Sequence, residues 1–506
     1  MPIKLSLEQK ITLCIVSIAV ALVFIDMTVF SITLPAIQRH FSATRHQGFW
    51  IVNIYLMITA TLTLATGKIS DYFGHQRIFS IGTLVFIAAS FLCGIAMSIK
   101  FLLFARALQS FGAAFILIAG MSLIATSFSD ENRGRATGIA MGFATFMMTI
   151  APFIGGIIIQ WLNWRWIFFM NVFLGLLISY FLIKQLFTST PATQSQTKSS
   201  FDYFGFISIT SFTVSIILAC QNSPHWGWFN TKTVLAIIIA IVSLVIFIVV
   251  EKKQANPLID FELFKLPNYR PGCLIMALSH CINYFVIFAG VFLQTALGYK
   301  PFITALLLLP AGLLLAIFSN VGGYLADKLG ARIPMIAGTG LLTAGLLLST
   351  LTIKSMSYMA ILPTLIAYGI GICLLSNPLR TSMLRHTAKE KYGMANSILS
   401  GTRQIGGAIG FAIVSSVISY GEKISARHQL LAHIPNLSIA KIDILLGILT
   451  RNSNSMVLLK QFTPAQQTMM KQIILQSYVH SFTIALVLLS VIMLICFLIS
   501  ILFIKR

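Results

Sequence analysis

Along the chain, long apolar runs alternate with short polar joints. Runs able to cross about 30 Å of hydrocarbon lie at 11–35, 48–66, 78–98, 101–127, 135–159 and 166–187. Two more follow at 203–221 and 231–250, then six at 270–297, 301–323, 333–353, 356–378, 393–419 and 478–503. The pattern predicts an all-α integral membrane protein with fourteen transmembrane helices. Two segments break the rhythm. Residues 188–200 are rich in Ser, Thr and Gln and predict a flexible linker. Residues 420–477 are long and polar, with partly amphipathic stretches at Ile439 to Leu449 and Gln466 to Gln476. A solvated outer loop is the plain expectation there; a docking element built on a hairpin or two short helices is the sharper one.

An internal repeat adds architecture. Gly67, Asp71 and Gly74 after the second run recur as Gly323, Asp327 and Gly330 after the tenth, at an offset of 256 residues, and an arginine follows each copy, Arg77 and Arg332. Parallel repeats of this kind build transporters from two six-helix halves with the site between them at mid-membrane. The expected division is 1–187 for the first half, 188–268 for linker and two inserted helices, and 269–506 for the second half. Glycines permit a sharp reversal at such a turn, and Asp71 can cap the next helix or pair with Arg133 or Arg135. The repeated motif therefore reads as a cytoplasmic gate.

Composition agrees and charge adds orientation. The chain is 57% apolar and 9% charged, with a net charge of +22, against about 25% charged residues in soluble domains. With the N-terminus inside, cytoplasmic segments hold twenty Lys and Arg and the short outer loops seven. That is the positive-inside bias, so the basic balance reports topology and implies no nucleic-acid partner. Both termini are expected in the cytoplasm. The first apolar run is too long for a cleaved signal peptide. Seven cysteines fall in or beside apolar runs without metal-site spacing and read as packing residues.

Within the spans, few polar residues can carry chemistry. Asp26 sits in the first run, nine residues before Pro35, about 13 Å below the outer end of that helix. A carboxylate at such depth costs about 2.5–3.5 kcal/mol on insertion scales and is kept where it faces a cavity or partner. Arg106, near the start of the fourth span, is within reach. The pair reads as a proton-coupling site, or alternatively as a fixed ion pair holding two helices together. Candidate cavity residues are Asn53, Tyr55, Gln109, His280, Asn283, Tyr284 and Arg403. His280 reads first as a packed histidine and second as a ligand or proton relay; Arg403 reads equally as structural or anion-facing. With two arginines and one aspartate in the spans, neutral, monovalent or anionic amphipathic substrates are expected over dications. No Gly-x4-Gly-Lys-Ser/Thr motif is present, and no nucleophile–base or metal spacing occurs in the loops. The chain thus reads as neither an ATP-driven pump nor an enzyme, with no cofactor or metal.

Four stretches resemble one family. Asp26 to Pro35 looks like a first-span motif, and Gly67 to Arg77 like a loop signature with His75 and Gln76 in place of basic residues. Arg106-Ala-Leu-Gln109-Ser-Phe-Gly112 is similar to a fourth-span motif, with Ser110 where glycine is usual. Ala151-Pro152-Phe-Ile-Gly155-Gly156 resembles a fifth-span motif of exporters, with Ala151 for its usual glycine. Together they resemble the major facilitator superfamily, in particular its fourteen-span drug:proton antiporters. The resemblance implies the major facilitator fold, no cofactor, and proton-coupled export of small amphipathic molecules by alternating access, with multidrug efflux and drug resistance. It also implies a bacterial inner membrane location, lipid contact, and a periplasmic adaptor docked on 420–477. The alternatives are a dedicated exporter of one endogenous metabolite, such as a siderophore, and a sensor that keeps a transporter fold without transport.

Overall fold

The structure is a computed structural model describing residues 6–188, 202–254, 257–385, 387–388, 391–435 and 437–504. Apart from Thr188, the expected linker at 188–200 lies outside the described residues. Among the described residues every regular element is helical. Twelve of the described helices are long and apolar enough to cross a membrane, or thirteen when Arg45–Thr63 and Ala65–Phe73, bent by 56°, count as one broken span. The remaining counted run contains a shorter apolar helix, Arg165–Ser179.

The N-terminal group comprises α1 (Leu7–Thr28), α2 (Phe30–His40), α3 (Arg45–Phe73), α4 (His75–Gly94), α5 (Ile99–Ser127), α6 (Asp130–Trp161) and α7 (Arg165–Thr188). Helices α8 (Tyr203–Trp226) and α9 (Thr231–Lys253) pair with each other and follow it. The C-terminal group begins with α10 (Tyr269–Ser279), α11 (Phe285–Thr295), α12 (Pro301–Phe318), α13 (Val321–Leu329) and α14 (Arg332–Thr352). It continues through α15 (Leu362–Leu384), α16 (Tyr392–His433), α17 (Ile439–Leu445), α18 (Ser453–Leu459) and α19 (Pro464–Leu502). Several starts are written locally: Ser6 with Gln9, Thr44 with Gln47, and Thr463 with Gln466 form capping boxes.

The repeat is visible in backbone geometry. Gly74 ends α3 at φ 91° and Gly330 ends α13 at φ 79°, a conformation that glycine adopts at little cost. The same offset carries Val29 to Phe285. Val29 is where α1 gives way to α2, and Phe285 follows the 3-10 segment His280–Tyr284 that separates α10 from α11. The first span of each group is therefore interrupted at equivalent places.

One end of the bundle is clasped. Against α2, a Cβ on Gly290 would collide with the Ser31 carbonyl; on α6, Cβ atoms at Gly155 and Gly156 would press on Val29 and on Ala305. Thr149 Oγ1 donates to the Gly312 carbonyl across the α6–α12 seam at 3.2 Å. Toward the end that carries the repeated motif, Cβ atoms at Gly134, Gly138 and Gly142 on the same helix would meet nothing within 4 Å. The small residues of α6 thus seal one half of the seam and leave the other open.

The stretch at 420–477 is a correction. It forms a packed helical lobe rather than a solvated loop. Helix α16 runs on to His433, α19 starts at Pro464, and α17 and α18 fill the space between. Ala426, Leu430, Ile442, Leu445, Leu459, Met470 and Ile474 bury one another in a second apolar core. The amphipathic stretches seen in the sequence supply that core, and burying them stabilises the lobe. Asn452 Nδ2 donates to the Ser42 carbonyl at 2.6 Å, seating the lobe on the clasped end.

Candidate functional site

Asp26 lies one turn before the Val29 break in α1 and is fully buried. Arg106 and Gln109, three residues apart on α5, share one helical face and both turn to it. The Arg106 guanidinium forms an ion pair with Asp26 Oδ2. Gln109 Nε2 donates to Asp26 Oδ1 at 3.1 Å, and Asn171 Nδ2 of α7 donates to the same oxygen at 3.2 Å. Arg106 also donates to Gln109 Oε1 at 2.7 Å and to the Ile51 carbonyl at 3.3 Å. Its guanidinium lies between the rings of Phe30 and Tyr55, 4.4 and 4.2 Å from their centroids. Three helices, α1, α5 and α7, meet on one carboxylate, and α3 joins them through Arg106. Asn171 was not among the sequence candidates; a lone amide in an apolar run was its only signal.

Three expected cavity residues prove to be internal. Gln109 belongs to the Asp26 network, and Tyr55 stacks on Arg106 with its hydroxyl unpaired. Asn53 Nδ2 donates at 2.9 Å to Gln221 Oε1 of α8, which also accepts from Ser415 Oγ of α16 at 2.9 Å. Each has at most 1% of its surface exposed, and neighbours engage the Gln109 amide and Asn53 Nδ2, as is usual for buried polar groups. Gln221 makes α8 a bridge between α3 and α16, a role invisible in the hydrophobic pattern.

The C-terminal candidates gather around the α10–α11 interruption. His280 Nδ1 sits 3.1 Å from the Met276 carbonyl, and Asn283 Oδ1 accepts from the Tyr368 hydroxyl at 3.1 Å. Buried Tyr284 packs against Gly407 of α16. Arg403, one turn before Gly407, is partly exposed and electrostatically close to His280 and Tyr284. Among the described residues it forms no ion pair.

At the motif turns, Asp71 Oδ1 lies 3.8 Å from His75 Nε2, and His75 Nδ1 lies 3.2 Å from Ser70 Oγ. Gly67 is uncrowded, and Arg77 and Asp327 are exposed. Pro152, Gly155 and Gly156 lie on the sealed part of the α6–α12 seam.

Three further carboxyls are buried where the sequence suggested only Asp26. Glu422 of α16 accepts from Arg45 Nε at 2.6 Å and Nη2 at 3.1 Å, and Arg45 stacks 4.0 Å from the Tyr478 ring centroid. This pair ties α3 to α16 and α19 at the clasped end. Asp202 and Glu251, each 2% exposed, lie together beside Gly205 at the motif ends of α8 and α9; Asp202 Oδ1 accepts from the Gly205 backbone at 2.9 Å and Glu251 Oε2 from that of Ile259 at 3.1 Å. Both acids flank apolar runs in the sequence, where they look like ordinary solvated span ends.

Known proteins place this arrangement. The Major Facilitator Superfamily profile matches residues 16–411. The multidrug resistance protein Stp of Mycobacterium tuberculosis is 30% identical over 417 residues, 81% of this chain and 76% of that protein. The quinolone resistance protein NorB of Staphylococcus aureus is 30% identical over 374 residues, 72% of this chain and 80% of that protein. The riboflavin transporter RibZ of Clostridioides difficile is 28% identical over 430 residues, covering 83% and 91%. Among solved structures, a bacterial homologue of the human lysosomal transporter Spinster, inward-facing and unoccupied, superimposes with a TM-score of 0.64 at 15% identity, over 99% of this chain and 98% of that one. The chain belongs to the major facilitator superfamily: it is an integral membrane transporter and not an enzyme.

Proposed function

We propose that the protein is a proton-coupled exporter of small amphipathic molecules working by alternating access. The observation that carries this reading is the buried Asp26–Arg106 pair with its amide ligands from α5 and α7. A proton arriving on Asp26 cancels the only anion paired with Arg106 among the described residues and leaves a buried cation uncompensated, a change worth several kcal/mol. The four helices that meet there then have reason to rearrange. Placed one turn from the Val29 break and beside the α6 seam, the rearrangement can reach the clasp between the two helical groups. On the positive-inside rule, the open motif end faces the cytoplasm, so substrate enters from inside while the clasp holds the outer face shut.

The relatives named for multidrug and quinolone resistance support export of diverse compounds. The relative named as a riboflavin transporter supports a second reading, transport of one metabolite. Proton movement in inverted vesicles, measured while a panel of amphipathic compounds is added, tests both. Substrate-dependent proton efflux that vanishes in Asp26→Asn supports coupled export through Asp26. Unchanged coupling in the variant moves the proton site elsewhere. A response to a single compound favours the metabolite transporter, and no response to any compound rejects export.

A further inference from the structure

The two arginines placed inside the spans have unlike surroundings. Arg106 is neutralised by Asp26 and capped by two aromatic rings. Arg403 is partly exposed and has no carboxylate partner among the described residues. Its neighbours do not neutralise it: His280, at the break in the α10–α11 span, carries no negative charge, and Arg380 of α15 repels it. Arg380 is exposed and is held by Asn396 Oδ1, which accepts from its Nε at 3.2 Å and Nη2 at 2.9 Å. An amide oxygen fixes that guanidinium in position without cancelling its charge. The hydroxyl of Tyr284 and the amide of Asn283 lie on or beside the same interrupted segment, so donors gather there while carboxylates do not. Arg380 lies two turns nearer the motif end of α15 than Cys373, whose thiol reaches the Leu315 carbonyl within the bundle. The positive groups thus run from the open end toward the middle.

We propose that this cluster recognises the anionic group of the substrate, Arg403 binding it and Arg380 drawing it in from the open end. The substrate class is an amphipathic monoanion, a carboxylate or sulfonate on an apolar body. The inference rests on reading the chain as an exporter and narrows that reading to one half of the substrate's chemistry. A planar guanidinium matches a carboxylate with two parallel donors, and in a site of low dielectric the unpaired cation favours an anion over a neutral isostere. The arrangement also explains why the proton site and the substrate site need not be the same residue: a proton neutralises one arginine's partner, and a substrate supplies the other's.

The test uses the full chain in lipid nanodiscs and a matched pair of probes, dansyl-undecanoic acid and its methyl ester, read by fluorescence titration. Wild type is expected to bind the acid at least about tenfold more tightly than the ester, the value of one charge-assisted hydrogen bond. Arg403→Gln should erase that preference while leaving ester affinity within twofold, which also reports intact folding. Arg403→Lys should keep part of it. Arg380→Gln should weaken acid binding less than Arg403→Gln does. Equal affinity of wild type for acid and ester, no binding of the acid, or equal loss of both probes in Arg403→Gln overturns the proposal. Because binding is read without transport or protons, the two readings fail separately. Acid-selective binding with no coupled flux rejects only the exporter; coupled export with no acid preference rejects only the anion site.

Discussion

The Asp26 region and the Arg403 region solve the same problem in opposite ways. Each places a guanidinium among membrane helices, where an uncompensated charge is expensive. Around Arg106 the protein supplies everything: a carboxylate, a side-chain amide, a backbone carbonyl and two ring faces. Around Arg403 it supplies partial exposure, a tyrosine and further positive charge. A site completed by its own side chains can store a state. One left incomplete can accept a ligand. The contrast underlies both proposals, a proton response in the first region and substrate recognition in the second.

The largest effect should come from making the first region resemble the second. Asp26→Ala leaves Arg106 buried without its anion, and removing one partner of a buried pair costs about 3–5 kcal/mol. We expect a marked drop in thermal unfolding temperature in detergent. Adding Arg106→Gln should recover much of the loss, since the orphaned charge is then gone. If the double variant is as unstable as the sum of the two singles, the pair is not energetically coupled and the contrast fails.

Next in size is the pair that joins the two helical groups. Glu422→Gln keeps the shape of the contact with Arg45 but removes its charge, and Arg45 remains buried beside Tyr478. Because this pair spans the clasped end, its loss should weaken the clasp more than it destabilises either group. Cysteine accessibility at Ser42, on the clasped end, should rise in Glu422→Gln. Unaltered accessibility would show that the apolar packing of Gly155, Gly156 and Gly290 holds the end shut without it.

A smaller effect of opposite sign belongs to Arg403. Its replacement by Gln removes a cation that lacks an anionic partner, so stability should be unchanged or slightly higher, where Arg106→Gln alone lowers it. Unfolding temperatures of the two variants, measured side by side without substrate, decide the point. A loss at Arg403 as large as that at Arg106 would mean that Arg403 is a structural residue.

Much of this contrast was legible in the sequence, though unevenly. The apolar runs, the 256-residue repeat, Asp26 and Arg106 all stand out because charge and glycine are rare in apolar surroundings. The pairing itself followed from helix depth. What stayed hidden depends on which helix lies beside which. Asn171 and Gln221 each look like a stray amide until α7 and α8 are packed against α5 and α3. Glu422 and Glu251 look like solvated span ends because a sequence pattern locates the membrane boundary only to within several residues. The lobe at 420–477 looks like a solvated loop for a related reason: its apolar positions are too few to signal a core until four helices contribute at once.

A solvent-exposed pair completes the scale. Lys391, just before α16, donates to Asp260 Oδ2 at 2.7 Å and to Glu262 Oε2 at 2.8 Å, and its side chain is 41% exposed. For Asp260, burial raises the carboxyl's pKa, but the hydrogen bonds from Lys391 and the Glu262 backbone outweigh it and leave a net lowering. The two acceptors raise that of Lys391. A lowered carboxyl contributes stability that is present above its unfolded value and lost as pH falls through the folded one. A raised amine contributes stability that is present below its unfolded value and lost as pH rises through the folded one. The tether should therefore hold across the neutral range and release at both extremes, and exposure keeps its contribution small. Asp260→Asn should flatten the acid limb of a stability–pH profile slightly and leave neutral-pH stability almost unchanged. An effect matching that of Asp26→Ala would mean that charge pairing at the surface governs this fold as strongly as pairing in the bundle, and the distinction between the two arginines would lose its energetic basis.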